Sequence, residues 1–297
     1  MHLGFVEAQL LCIALLALDF LARAWRIKWI LQGLGHRIST WDGVVLNAFG
    51  EGACAVTPMR LGGEPARLAG ILRCGVPAPA AFVAISFEVL ASWPVVIVGA
   101  GWLAWRYSGD WWAMAGPSLV RAAARAWPWL VVVAVVSLLA WLLARRLTHP
   151  AVRQIQRPVK RARVYWRRMP AWPLVASVPM SLIDLVTRVA ILPVLAMTLP
   201  DPPPMGPLWF GSFALLYSQL VLPTPSGAGA VDLGFLGGAA GNLGGDEHLI
   251  LLLWRVYTNG VGVVLGLALA VRYYGWGIVR KIFRRTEQAI AFSDQHR

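Results

Sequence analysis

The stretch LPTPSGAGAVDLGF, residues 222–235, places two prolines and three glycines inside one of the most apolar regions of the chain. A second stretch, TPMRLGGEPARLAG at residues 57–70, opens with the same Thr-Pro pair. Proline and glycine interrupt helices, and an interruption at membrane depth is tolerated only where protein buries the freed backbone or water lines it. If these stretches lie in a membrane, each is predicted to be a broken helix lining an internal cavity.

The composition indicates a membrane protein. Of 297 residues, 58% are hydrophobic and 14% are charged, and the mean hydropathy is +0.62, which excludes a soluble domain with a polar surface. The net charge of +13 lies between and after apolar runs, as in cytoplasmic membrane loops, so it indicates anionic lipid and no nucleic acid. Cys12, Cys54 and Cys74 lack metal-ligand spacing, and no cofactor or metal is expected.

Seven apolar runs divide the chain, at about 3–21, 40–56, 78–105, 127–144, 171–198, 208–222 and 247–271. A membrane-spanning helix needs ~20 apolar residues. The runs at 40–56 and 208–222 are shorter than that and end in Thr-Pro. The first run has no basic residue before it and a basic loop, predicted at 23–39, after it. It is therefore predicted to be a retained span with its N-terminus outside, not a cleaved signal peptide.

Loop charge orients these runs. The loop at 145–170 is rich in Arg and Lys, and with the tail at 272–297 it is predicted to be cytoplasmic. Turns at 106–126 and 201–207 are then expected outside. Under this topology, 40–76 must enter and return from the inside, and 208–245 must enter and return from the outside. The predicted fold is an all-α polytopic membrane protein, one transmembrane domain over 1–297, with two opposed re-entrant helical hairpins.

Such an arrangement predicts an inverted repeat, with copies at about 40–105 and 208–271. Thr57-Pro58 is followed by Gly62 and Glu64 in one copy, as Thr224-Pro225 is followed by Gly229 and Asp232 in the other. A charge lies 31 residues after each threonine, Glu88 in the first copy and Arg255 in the second. These two charges are predicted to face each other across the cavity.

Each break is expected to restart as a half-helix whose N-terminus points at the midplane. Pro65 suits the first turn of one half-helix, and Ser226 or Gly227 is predicted to cap the other. Free amides and helix dipoles would then form an anion site, suited to a lipid phosphate. The alternative for the later glycines, Gly234, Gly238, Gly241 and Gly245, is close helix packing at about four-residue spacing.

Charged residues inside apolar runs supply the other candidates, because each is costly in a membrane unless paired or hydrated. Asp184 and Arg188 are four residues apart, and act either as partners of each other or as cavity groups. Glu64 is placed to neutralise Arg67. The predicted substrate-binding residues are Thr57, Glu64, Arg67, Glu88, Asp184, Arg188, Thr224, Ser226, Gly227, Asp232 and Arg255.

Three runs together resemble a known family: RAWRIKWILQGLGHRIS at 23–39, TPMRLGGEPARLAGILRCGV at 57–76, and LPTPSGAGAVDLGF followed by LLLWRVYT at 251–258. They are similar to the transmembrane region of lysylphosphatidylglycerol synthases and of related stand-alone inner-membrane proteins. In the bifunctional members this region is a lipid flippase joined to a cytosolic aminoacyltransferase domain. No such domain is expected in this chain, so the resemblance implies translocation, without lipid aminoacylation, in the bacterial inner membrane.

This chain departs from the family pattern in two places. It reads Glu88-Val89 and then Ser92 where the family often has Glu-Arg and a following Asp, and Val231-Asp232 where the family often has Arg-Glu. Some stand-alone relatives are associated with hopanoid or lipid-linked glycan pathways. The identity of the lipid therefore does not carry over from the resemblance.

The sequence thus favours a transporter that moves an anionic or phosphate-bearing lipid between leaflets, with membrane lipids and lipid-biosynthesis enzymes as partners. One alternative is an intramembrane lipid-modifying enzyme. It is weaker because no histidine lies beside a break and no nucleophile–base pair is apparent. The other is a non-transporting scaffold of a lipid or hopanoid synthesis complex, docking through the basic loop. The oligomeric state is left open.

Overall fold

The computed structural model describes residues 3–147, 164–222, 224–241 and 243–273, without the side chains of 122, 123 and 125–147. Within these ranges the regular structure is helical, apart from one isolated β-bridge. The helices are α1 (Phe5–Gly33), α2 (Thr40–Val56), α3 (Gly63–Arg73), α4 (Ala78–Leu147), α5 (Trp172–Ala196), α6 (Met205–Ser218), α7 (Ala230–Ala239) and α8 (Glu247–Tyr273).

Among the described residues, four helices are long and apolar enough to cross a membrane: α1, the first 44 residues of α4, α5 and α8. The prediction of an all-α polytopic membrane protein is confirmed. α7 ends in a π-helical turn at Phe235–Ala239, and α8 contains another at Val256–Gly260. Such turns add a residue to the helix and re-aim the side chains beside them.

Helices α1 and α5 form an antiparallel pair that positions the site. At one end Leu3 N donates to Met197 O at 3.1 Å, and at the other Gly33 packs against Pro173. Asp19 is the middle residue of α1, about 21 Å from either end at 1.5 Å rise per residue. Asp19 therefore lies within the hydrocarbon core, which is ~30 Å thick, of any bilayer that α1 crosses.

Two helical hairpins pack against this pair. In the first hairpin, α2 and α3 are antiparallel, so that Gly70 lies against Leu46 and Gly50 against the stem of Arg67. In the second hairpin, α6 and α7 are antiparallel, and Gly211 lies against the carbonyl of Ala239. Their tips, residues 57–62 and 219–229, carry the two Thr-Pro pairs.

The two tips contact each other directly. Pro58 and Pro225 form an isolated antiparallel β-bridge. Beside it, the Ser226 hydroxyl donates to the carbonyl of Ala55 at 2.9 Å. The Thr-Pro pairs that the sequence singles out therefore lie against each other, with Pro58 and Pro225 themselves exposed.

Two predicted loops are wrong. The loop expected at 23–39 is helical as far as Gly33, because Arg23 and Arg26 are buried in ion pairs with acids of the interior. The turn expected at 106–126 is replaced by the uninterrupted α4, so that 127–144 belongs to the same helix. Tertiary contact holds the helix here, since Trp111 Nε1 donates to the carbonyl of Ala239 at 2.9 Å.

Most of the predicted basic loop at 145–170 and nearly all of the predicted tail at 272–297 lie outside the described residues. The described end of that loop, 164–168, is helical. It packs beside the start of α4, where the Trp166 ring stacks on Phe87 with centroids 4.3 Å apart. This contact places the end of the loop near the end of α1 and the beginning of α5.

Small residues bring α8 against α2. Gly52 and Gly266 pack backbone to backbone, and Gly262 lies against the Cβ of Glu51. Of the glycines predicted to make such contacts, Gly238 makes one, since a Cβ there would lie 2.9 Å from Ser118 Oγ of α4. Gly238, Gly241 and Gly245 also have φ of 94°, 89° and 97°, so they turn the chain at and after the end of α7.

Substitution of Gly266 by alanine is expected to separate α2 from α8. A Cβ at this position would lie 2.6 Å from the Ala48 carbonyl oxygen and 3.1 Å from the Gly52 Cα, both backbone atoms that no rotamer change relieves. We expect a loss of about 1–3 kcal/mol in the free energy of unfolding, measured by denaturation in detergent. Gly101→Ala is the matched control, because nothing lies within 4 Å of its Cβ. Equal stability of the two variants would contradict this packing.

Candidate functional site

A network of ion pairs occupies the interior between α1, α5 and the first hairpin. The charged residues come from six segments, and each contacts at least one opposite charge. They are Asp19, Arg23 and Arg26 of α1, Glu51 of α2, Arg60 of the first tip, Arg67 of α3, Glu88 of α4, and Asp184 and Arg188 of α5.

Glu51 is the centre of this network. Its carboxylate accepts hydrogen bonds from Arg23, from Arg188 and, at 2.6 Å, from Arg60. Arg188 also contacts Asp19 at 3.3 Å, and Arg23 contacts Asp19 at 2.6 Å. Three helices and one tip are thus joined through two acids and three arginines.

Glu88 forms a second centre. It is 1% exposed and accepts from both Arg26, at 2.9 Å, and Arg67. Arg26 in turn contacts Asp184 at 3.1 Å, and Asp184 contacts Arg188 at 3.1 Å. The two centres are therefore connected through α5 into one continuous chain of charges.

Pairing explains why an apolar protein holds so many charges. A lone charge at the centre of a membrane helix costs ~2.5–3.5 kcal/mol or more, and removing one partner of a buried pair is strongly destabilising. Asp19 and Arg23 are four residues apart on α1, as Asp184 and Arg188 are on α5, so each helix brings its own pair. The first hairpin then bridges the two pairs through Glu51, which contacts Arg23 and Arg188 and is itself bound by Arg60.

A cavity of about 120 Å³ lies beside the network, well above the ~10–15 Å³ that one water molecule requires. The polar groups that line it are Asp19, Arg23, Glu51, Arg60, Asp184, Arg188, Tyr217, Gln219, Tyr257 and Thr258. Two buried donors, Gln219 Nε2 and Arg23 Nε, have no hydrogen-bond partner among the described residues. The cavity is therefore charged on one wall and offers unused donors.

Arg60 connects the cavity to both tips. It has a left-handed backbone conformation, with φ 58°, which an arginine adopts only where the surroundings impose it. Its guanidinium donates to Gln219 Oε1 at 3.1 Å and to Asn259 Oδ1 at 3.2 Å, in addition to Glu51. The first tip is thereby held against the second tip and α8.

The predicted residues of the first break have separate roles. Thr57 is structural, since its hydroxyl donates to Ala53 O at 2.7 Å and accepts from Gly62 N at 2.9 Å. Pro65 lies in the first turn of α3, as predicted. Glu64 is about half exposed and reaches Arg67 at 3.4 Å, in line with its predicted neutralising role.

The second break has its own charge pair. Arg255 contacts Asp232 at 2.7 Å and donates to the carbonyl of Ser226 at 2.7 Å. Asp232 also accepts from Gly229 N at 2.9 Å, so Gly229 begins α7. The predicted cap by Ser226 or Gly227 is wrong, because these residues have φ of 49° and 66° and belong to the preceding turn. The hydroxyl of Thr224 is buried at this tip without a partner among the described residues.

The prediction that Glu88 and Arg255 face each other across the cavity is also wrong, because neither residue lines it. Glu88 pairs with Arg26 and Arg67, and Arg255 pairs with Asp232. For Asp184 and Arg188, both readings of the sequence hold, since the two residues contact each other and also line the cavity.

Five network residues are missing from the sequence prediction: Asp19, Arg23, Arg26, Glu51 and Arg60. Two of them carried a usable signal, because Asp19 and Glu51 are acids inside apolar runs, as Glu88 is. Arg23 and Arg26 follow the first apolar run and have the pattern of a flanking loop. Arg60 stands in a Pro-Gly stretch, where sequence gives no indication that a side chain points inward.

These features define a polytopic membrane protein with a cavity lined by charged residues of its helices. The sequence model of a protein family, described as "Lysylphosphatidylglycerol synthase TM region", matches residues 1–266. The chain therefore belongs to this family. The resemblance seen in the sequence is thereby confirmed, and it indicates a membrane role related to lipid. No curated protein and no solved structure matches the chain.

Proposed function

We propose that this protein is a flippase, which moves an anionic or phosphate-bearing lipid between the leaflets of the bacterial inner membrane. The observation that carries the proposal is the cavity beside Asp19, a residue within the predicted span of α1, with Arg23, Arg60 and Arg188 in the cavity wall. Guanidinium groups bind phosphate through paired hydrogen bonds and keep their charge at any physiological pH. A lipid phosphate halfway across the membrane needs such partners, because water is absent there.

The proposal includes an inverted repeat of two re-entrant hairpins. In support of this, the long helix after each break forms an ion pair with the half-helix before it. The pairs are Arg67 with Glu88 in one copy and Asp232 with Arg255 in the other, so the positive charge lies on the half-helix in the first copy and on the long helix in the second. The tips also meet through equivalent residues, Pro58 and Pro225. Rocking of one copy against the other would expose the cavity to each leaflet in turn.

In this proposal the N-terminus is outside and the C-terminus is cytoplasmic, so the first hairpin enters from the cytoplasmic side. The partners are membrane lipids, and the lipid is carried without chemical change, so no enzymatic step is included. The arginines replace the half-helix amides as the phosphate ligands, because Asp232 already caps the start of α7.

Neutralising Arg188 is expected to slow lipid movement by about 10- to 100-fold, the equivalent of one charge-assisted hydrogen bond of ~1.5–3 kcal/mol. In Arg188→Gln every acid that Arg188 contacts retains another arginine: Asp19 keeps Arg23, Asp184 keeps Arg26, and Glu51 keeps Arg23 and Arg60. The fold is therefore expected to survive. The measurement is leaflet exchange of acyl-chain-labelled phospholipids in proteoliposomes, followed by chemical quenching of the outer leaflet.

Arg106→Gln is the matched control, since Arg106 is exposed on α4 and outside the cavity. It removes the same charge and is expected to leave the exchange rate within about twofold of that of the unaltered protein. Equal rates for the two variants would refute the role of Arg188. Failure of the unaltered protein to move any phospholipid would refute the transport function itself.

A further inference from the structure

The cavity wall is balanced in charge. Three carboxylates line it, Asp19, Glu51 and Asp184, and three guanidinium groups do so as well, Arg23, Arg60 and Arg188. The two kinds are paired with each other. Arg23 lies between Asp19 and Glu51, and Arg188 contacts all three acids. The formal charge of the lining is therefore zero.

A net-negative headgroup fits such a wall poorly. To bind an arginine, it must displace a carboxylate such as Asp19, and the displaced acid is then left near the bilayer centre with one partner fewer. A headgroup that carries both a phosphate and an ammonium avoids this cost. Such a headgroup breaks one ion pair of the protein and forms two new ones, between phosphate and guanidinium and between ammonium and carboxylate. Every buried charge therefore keeps a partner.

The unused hydrogen-bond donors of the cavity indicate where the phosphate would lie. Gln219 is 1% exposed and lines the cavity with its Nε2 unpartnered among the described residues, and Arg23 Nε is unpartnered as well. Both require acceptors, which phosphate oxygens supply and an ammonium does not. Arg60, which donates to the Gln219 side-chain oxygen, lies on the same side. Asp19 and Asp184 then remain for the ammonium.

We propose that the cavity selects a zwitterionic phospholipid headgroup, with its ammonium at Asp19 and Asp184 and its phosphate at Arg60, Gln219 and Arg23 and at Arg188, which the ammonium replaces as partner of the two acids. This inference rests on the proposed transport function and narrows its substrate to lipids of the phosphoethanolamine type. Net-anionic headgroups, such as phosphoglycerol, are disfavoured because they bring no cation for the displaced acid.

The test compares phosphatidylethanolamine with phosphatidylglycerol, each labelled on an acyl chain so that its headgroup is intact. Both are followed in proteoliposomes made of equal parts of the two unlabelled lipids. The unaltered protein is expected to move phosphatidylethanolamine about tenfold faster. Asp19→Asn is expected to reduce this preference about tenfold, because it leaves the cavity wall with an excess positive charge. In that variant, Arg23 and Arg188 both keep Glu51.

Asp110→Asn removes an exposed carboxylate of α4 and is expected to leave the preference unchanged. Native mass spectrometry of the unaltered protein with equal amounts of both lipids gives a second readout, independent of any variant. Equal or faster movement of phosphatidylglycerol by the unaltered protein would overturn the inference and leave transport standing. An unchanged preference in an active Asp19→Asn protein would overturn it as well. Movement of neither lipid would refute the proposed function.

Discussion

Replacing Glu51 by glutamine is expected to stop lipid movement and to lower the free energy of unfolding by about 3–5 kcal/mol. Glu51 contacts three arginines at once. Arg23 and Arg188 have other carboxylates, whereas Glu51 is the acid that contacts Arg60 among the described residues. The variant therefore leaves a buried guanidinium whose remaining partners, Gln219 and Asn259, are uncharged.

The measurements are denaturation in detergent and leaflet exchange in proteoliposomes. Asp110→Asn is again the matched control, because its carboxylate is exposed and outside the network. The double variant Glu51→Gln, Arg60→Gln restores the charge balance and is expected to recover a large part of the lost stability, with a coupling of ~0.5–3 kcal/mol. If Glu51→Gln had the same free energy of unfolding as Asp110→Asn, the ion-pair network would not be what holds the first hairpin in place.

The sequence predicts the features of this site that depend on residues close together in the chain. Breaks at Thr57-Pro58 and Thr224-Pro225 follow from local chemistry, since proline and glycine act on their own backbone. The pairing of Asp184 with Arg188 follows from helical spacing alone. These features are visible in one segment at a time.

Partners distant in sequence are not visible in this way. Glu88 meets Arg26 across 62 residues, while the sequence pairs it with Arg255 by repeat position. A charge does stand 31 residues after each threonine, but Glu88 is neutralised by Arg26 and Arg67, and Arg255 by Asp232. The sequence of one segment therefore shows that a charged residue needs a partner, whereas the fold shows which residue that partner is.

The missed arginines have a physical explanation too. A basic residue after an apolar run normally marks the end of a span, because its charge prefers the headgroup region. Arg23 and Arg26 depart from this rule because α1 is 29 residues long and because acids of α2 and α4, Glu51 and Glu88, lie opposite them. The long α4 departs from prediction for a related reason, since contacts of Trp111 with the second hairpin continue the helix beyond its apolar run.

A disulfide across the two tips is expected to reduce lipid movement to the rate of protein-free vesicles. Pro58 and Pro225 are paired residues of an antiparallel bridge, where Cα atoms lie ~4.5–5.5 Å apart, within the ~4.4–6.8 Å that a disulfide spans. The variant Pro58→Cys, Pro225→Cys is made in a background with Cys12, Cys54 and Cys74 replaced by alanine. Oxidation then fixes the two hairpins to each other.

The expected loss follows from the contacts that the tips make. The Pro58–Pro225 bridge and the hydrogen bond from Ser226 to Ala55 hold the two tips together. Arg60 connects the tips to the cavity wall. A headgroup passing from one leaflet to the other through this cavity requires the tips to separate, and a covalent link prevents it. The same protein with the disulfide reduced is the control and is expected to move lipid, as are both single-cysteine variants under oxidation. Undiminished movement by the cross-linked protein would show that the hairpins transport lipid without parting, and the alternating-exposure proposal would then be wrong.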